Sequence, residues 1–156
     1  MSDPLSIMAS IAGLVAISAK IMSMAEQLYH SAKEAPVSIR RTMEEMQDMS
    51  SVFCEVHSFM VGTSKIPSRS KLSMISLDKL VATLTGCVLV CSKLDKTLCE
   101  VAGLVDPSPS TSNGKLGPTL ERIKWALWRE VEATEIIEDL QRHKLSLKLM
   151  LSIIHW

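Results

Sequence analysis

Residues 4–25 read PLSIMASIAGLVAISAKIMSMA, and across these 22 positions Lys20 is the sole charge. Asp3-Pro4 in front of them is an N-cap followed by a first-turn proline, the usual opening of a helix. The polar remainder is serine (Ser6, Ser10, Ser18, Ser23), whose hydroxyl can bond back to its own helix backbone. A 20-residue helix is about 30 Å long, the thickness of a bilayer's hydrocarbon core. Two placements follow. The segment can be the central helix of a bundle, apolar nearly all round because the others surround it. It can also cross a membrane: Ala9–Gly13 and Ala12–Ala16 put small residues at four-residue spacing, which lets helices approach closely in lipid. Lys20, five residues from the segment's end, would then snorkel toward the head groups. The two are compatible, since a helix buried at rest can be released.

Working outward, Ala35-Pro36 closes this helix and starts the next, because proline disfavours α geometry in the residue before it. The spacing predicts helices over about 4–34, 36–61, 76–105 and 118–155. In the second, Ile39, Met43, Met46, Met49, Phe53, Val56 and Met60 step by three and four. The third carries Leu77, Leu80, Leu84, Cys87, Cys91, Leu94, Leu98, Val101 and Val105. The fourth carries Leu120, Ile123, Leu127, Val131, Ile137, Leu140, Leu147, Leu151 and Ile154. Trp125 and Trp128 flank that last stripe as packing residues, and Trp156 suits a membrane interface or a domain junction. Residues 145–154 (LSLKLMLSII) are apolar on more than one face, as a cover for helix 1 or for a region beyond this chain. The loop GTSKIPSRSKL (62–72) contains Lys65, Arg69 and Lys71 and no acid, and residues 106–117 read as a mobile, turn-rich connector.

Composition agrees with an all-α fold. Apolar residues make up 47% of the 156 and aromatics 4%, which suits a core of aliphatic side chains and methionine. Length and pattern predict one domain, an elongated antiparallel four-helix bundle, with a fifth short helix if one of the four breaks. The 17 basic and 17 acidic residues balance, against a dedicated nucleic-acid binder.

Enzyme chemistry is not expected. His30, His57, His143 and His155 fall on different segments, none at metal-ligand spacing with a Cys, Asp or Glu, and no metal or cofactor is predicted. Asn113-Gly114-Lys115-Leu116-Gly117 lacks the strand and the terminal Lys-Ser/Thr of a phosphate loop, and no nucleophile elbow occurs. Cys87 and Cys91, at i and i+4 among Val88, Leu89 and Val90, read as buried thiols of a reduced, intracellular protein. With Asp3 in place of a basic n-region, a secretory signal is not expected.

Three stretches carry a family resemblance. MSDPLSIMASIAGLVAISAKI (1–21) resembles the "DPLSIxASIAGL" opening of fungal HeLo-like domains, which head many STAND (NLR-like) proteins. APVSIRRTMEEMQDMSSVF (35–53) resembles the family's next helix, and LQRHKLSLKLMLSII (140–154) is similar to its "LQRHKxSLxLMLxIL" helix. The resemblance implies a helical bundle related to HeLo domains and to that of the mixed-lineage kinase-like necroptosis executioner. It implies a pore-forming cell-death effector of fungal innate immunity, cytoplasmic at rest, that reaches the plasma membrane after oligomerising. The trigger would be a NACHT, ankyrin or amyloid-motif region, which these residues do not contain. Carried onto this chain, the inserting segment is Pro4–Ala25, with Leu5, Ile7, Met8, Ile11, Gly13, Leu14, Val15, Ile17 and Ile21 as its membrane-facing residues. Lys20, Lys65, Arg69 and Lys71 are candidate contacts to anionic head groups; for the three loop residues that role rests on charge, not on the resemblance. A charge at Gly13 or Leu14 is expected to abolish insertion in a folded bundle. The alternative is a non-toxic oligomerisation or protein-interaction module of a STAND receptor.

Overall fold

Every third or fourth residue of α1 (Pro4–Ser31) turns inward: Ile7, Ile11, Leu14, Ser18, Ile21, Ala25 and Leu28 are buried. The same alternation of three and four recurs in α2 (Val37–Thr63), where Ile39, Thr42, Met46, Met49, Phe53, Val56 and Met60 are buried. In α3 (Leu77–Gly103) it is Leu80, Leu84, Cys87, Cys91, Leu94, Leu98 and Val101. In α4 (Glu130–His155) Ala133, Ile137, Leu140, Leu147 and Leu151 continue it. A seven-residue repeat on four helices is the pattern of a bundle with interlocking side chains. The computed structural model describes residues 4–31, 36–63, 77–103, 128 and 130–155, and among them there are four helices and no strand.

Hydroxyls in the stripes are satisfied within their own helices. Ser18 Oγ donates to the Leu14 carbonyl at 2.7 Å, and Thr42 Oγ1 donates to that of Ser38 at 2.8 Å. Neither therefore leaves an unpaired polar group in the core. Pro36 stands just outside α2, its carbonyl accepting from the Ile39 amide at 3.0 Å. Trp128, buried in a bend before α4, donates its indole N–H to Ser38 Oγ at 2.8 Å.

Helices consecutive in the chain run antiparallel, as expected, but they are not all neighbours. α1 packs on α2 and α3, and α4 packs on the same two, so α1 and α4 stand at opposite corners of a square. Cross-links fix the directions. Lys20 meets Asp95 and Met24 meets Cys99, so α1 and α3 run parallel. Gln141 and Lys144 meet Glu45, and Trp128 meets Ser38, so α2 and α4 run parallel too.

Five expectations change. α1 is a corner helix, packed on α2 and α3, with no ring of others around it. α4 lies diagonally across from α1, so the expected cover of α1 by residues 145–154 is not found; Leu147 and Leu151 are buried there, while Leu145, Leu149 and Ile153 are exposed. Helix 4 does not run unbroken from residue 118: Trp128 is in a bend and the helix begins at Glu130, after which it is continuous past Arg142 to His155. Val131 is 74% exposed, while Ala133 and Ile136 take the inward places. The bend at Trp128 interrupts the stripe, and Val131 falls on the outer side of the first turn. The α2 end extends to Thr63, two residues into the predicted loop. The connector 106–117 and residues Leu120, Ile123, Trp125, Leu127 and Trp156 lie outside the described residues.

One glycine sets a close approach. A methyl group at Gly86 of α3 would overlap the His143 imidazole of α4. Gly86→Ala is expected to destabilise the bundle by about 1 kcal/mol in the parent, because the ring must leave its seat. In a His143→Ala background it is expected to stabilise by about 1 kcal/mol through helix propensity. Urea titrations of the four proteins of this cycle check the change of sign.

Candidate functional site

α1 is assembled from two unlike faces. Inward stand Ile7, Ile11, Leu14 and Ile21, each at most 4% exposed. Met8, Val15, Ile17, Met22 and Met24 are half-buried and pack against that core. Outward stand Ala9, Ala12, Gly13, Ala16 and Ala19, with Ser6, Ser10 and Ser23 among them. Large aliphatics thus lie inside and small uncharged residues outside, and the chain carries no charge on either face until Lys20. Ser10 Oγ donates to the Ser6 carbonyl at 3.0 Å. A hydroxyl bonded in this way needs less from water, whichever medium the face meets.

Leu5–His30 is long and apolar enough to cross a membrane, yet only 28% of its most apolar stretch is buried. A central core helix would be mostly buried. Core helices of soluble proteins and signal sequences share this length and composition; what sets α1 apart is the placement of its side chains.

The expected membrane-facing residues divide accordingly. Ile7, Ile11, Leu14 and Ile21 are core residues at rest; Met8, Val15 and Ile17 border the core; Leu5 is 74% exposed and Gly13 is exposed. A Cβ built on Gly13 meets nothing within 4 Å. Leu14, at 1% exposure, corrects one expectation: a charge there strikes the core itself and cannot leave a folded bundle. Gly13 is the usable position.

Lys20 is not a free charge. Its ammonium lies 3.1 Å from Asp95 Oδ1 and 3.3 Å from Oδ2, with side-chain exposures of 56% and 22%. The hydrogen bond to Asp95 raises the Lys20 pKa above its ordinary value. Beside this pair Cys99 Sγ lies 3.9 Å from Met24 Sδ and from Asp95 Oδ1. The seam between α1 and α3 therefore carries an ion pair whose lysine stands in solvent. Asp95 has no sequence signal as Lys20's partner, because the parallel pairing of α1 with α3 is not written in either helix. Lys65, Arg69 and Lys71 lie outside the described residues.

Between α1 and α2 the small residues leave an open groove of about 360 Å³ lined by Ala12, Val15, Cys54, His57 and Ser58. A second hollow, about 560 Å³, adjoins it at Ser51, Cys54, Glu55, Ser58 and Phe59. Cys87 and Cys91 are buried. Burial pushes their thiols up to about 12 and about 11, so both stay neutral and unreactive. Among the described residues no group of three or more His, Cys, Asp or Glu could hold a metal ion. No protein-family model, curated protein or solved structure matches the chain.

Proposed function

We propose that this chain is a membrane-targeting effector domain whose amino-terminal helix is docked in the bundle at rest and enters the bilayer when released. The observation that carries this reading is the construction of α1. It is a helix of spanning length, uncharged up to Lys20, held on one side only and presenting small uncharged residues on the other. A bundle that only had to stay soluble gains nothing from an outward face without charge. In the bilayer the same small residues would let copies of α1 approach each other closely, so clustering of several chains would favour the inserted state. The likeness of residues 1–21, 35–53 and 140–154 to HeLo-like cell-death domains supports the same reading, with anionic lipid and self-association as partners, the plasma membrane as destination, and fungal immunity as setting.

Release costs the burial of Ile7, Ile11, Leu14 and Ile21, about 1.5–3 kcal/mol for each side chain left in water. In lipid these four find an apolar environment again, so the cost falls on the path and not on the end state.

The test is leakage of dye from phosphatidylserine-containing liposomes. The parent is expected to release dye, and Gly13→Glu, whose charge on α1 costs a few kcal/mol at the middle of a membrane helix, is expected to lose release at least tenfold. Equal leakage by the two proteins would refute insertion. A second reading, a non-toxic interaction module of a larger receptor, is favoured by the completeness of α1's inward stripe. It requires that the parent leave liposomes intact at every concentration.

A further inference from the structure

The four helices bring opposite kinds of surface to the two ends of the bundle. α1 and α3 begin, and α2 and α4 end, at the same end. The ten residues of each helix nearest that end (4–13, 54–63, 77–86 and 146–155) carry four charges between them: Glu55, Asp78, Lys79 and Lys148. At the other end, residues 22–31, 37–46, 94–103 and 130–139 carry ten acidic and three basic side chains. α4 shows the same polarity by itself. All five of its acids lie within 130–139, and none occurs from 140 to 155.

On the acid-free half of α4, Leu145, Leu149 and Ile153 are 65%, 64% and 41% exposed. Steps of four residues align them as one ridge along the helix. This is not the packing face, which is taken by Leu140, Leu147 and Leu151. Lys148 falls on one flank of the ridge and Arg142 on the other, Arg142 bonded at 2.9 Å to Asp139 of the turn before. At the same end Leu5 is 74% exposed.

We propose that the bundle docks on an anionic lipid surface through this charge-poor end, with Leu145, Leu149 and Ile153 as the apolar contact and Lys148 and Arg142 at the head groups. An apolar ridge flanked by cations is how an interfacial helix binds such a surface. The acidic end is repelled by the same surface, which orients the domain. The proposal rests on the membrane reading above, and adds to it an element distinct from the inserting helix. Docking leaves the start of α1 beside the bilayer, although α1 and α4 occupy opposite corners.

Cosedimentation of the full chain with phosphatidylcholine vesicles, with and without phosphatidylserine, tests docking, and dye release from the same vesicles tests insertion separately. The parent is expected to bind more strongly where phosphatidylserine is present. Leu145→Gln/Leu149→Gln, with circular dichroism confirming the fold, is expected to bind about tenfold less. Lys148→Glu, an exposed change with no bearing on the core, is expected to bind less as well. Gly13→Glu is expected to bind as the parent does while failing to release dye. Parental binding by both the double variant and Lys148→Glu would overturn the docking site, even if the parent releases dye. A parent that ignores both vesicles overturns it too, as does one that pairs with a second copy through the ridge instead. A parent that binds through the ridge without releasing dye leaves docking standing and removes insertion.

Discussion

Lysine in place of Leu14 is expected to unfold the bundle, while glutamate in place of the adjacent Gly13 is expected to leave it folded. Leu14 is 1% exposed in the core stripe of α1, between Ile11 and Ser18. Removing a leucine side chain from such a site costs about 2–5 kcal/mol. An ammonium put in its place, with no acid buried among the described residues, adds several kcal/mol more unless it escapes to water. Together these approach the whole stability of an ordinary domain, about 5–15 kcal/mol. Gly13 faces out with open space beyond its Cα, and glutamate is a better helix former than glycine by nearly 1 kcal/mol. Far-UV circular dichroism and urea titration check the pair. A Leu14→Lys protein with the parental urea midpoint would mean that α1 is not packed on α2 and α3 as described. The contrast also decides which variant can test insertion, because only a folded protein that fails to leak is informative.

The fold was legible in the sequence wherever the seven-residue repeat was uninterrupted. The stripes of α2 and α3 were readable nearly residue by residue, since Phe53, Leu94 and Leu98 stand at positions no other period would align. Reading failed where the pattern needed a partner to interpret it. α1 looked apolar all round, because alanine, glycine and serine count as uncharged wherever they point; only packing separates small outward residues from large inward ones. The first turn of α4 was misread because a bend at Trp128 resets the phase of the stripe, and neither neighbour of Trp128 is proline or glycine. The square arrangement, with α1 beside α3 and α4 beside α2, had no local signal. It follows from which faces fit, and it alone decides that Lys20 meets Asp95. The candidate site is half legible: the sequence marks the apolar segment, but only packing shows which of its residues are free to change.

Lys144 gives the same lesson in energetic terms, and its replacement by methionine is expected to destabilise the bundle by about 2 kcal/mol. The core stripe of α4 runs Ala133, Ile137, Leu140, then Lys144, then Leu147 and Leu151, so lysine occupies a place the repeat reserves for an apolar residue. Its side chain is 12% exposed and reaches Glu45 Oε2 at 2.6 Å and Asp48 Oδ2 at 3.2 Å, while Gln141 donates to Glu45 Oε1 at 2.8 Å. Methionine fills the stem's volume but leaves Glu45, 17% exposed, facing Asp48 without its cation. Burial pushes the Glu45 carboxyl up, but hydrogen bonds from Lys144 and Gln141 outweigh it and hold the pKa below 4.5. Burial pulls Lys144 down, but its bonds to Glu45 and Asp48 outweigh that and hold it above 10.5. A lowered carboxylate stabilises the fold above 4.5 and loses that contribution as pH falls through its folded value; a raised amine stabilises it below 10.5 and loses it as pH rises through its own. The stability gap between parent and Lys144→Met is therefore expected to be full near pH 7 and to shrink below about pH 4.5 and above about pH 10.5. Adding Glu45→Gln to the methionine variant removes the stranded carboxylate and is expected to recover part of the loss at pH 7. Urea midpoints from pH 3 to pH 8 decide it, because a gap that stays constant on acidification would mean Lys144 acts through its apolar stem and not through its charge.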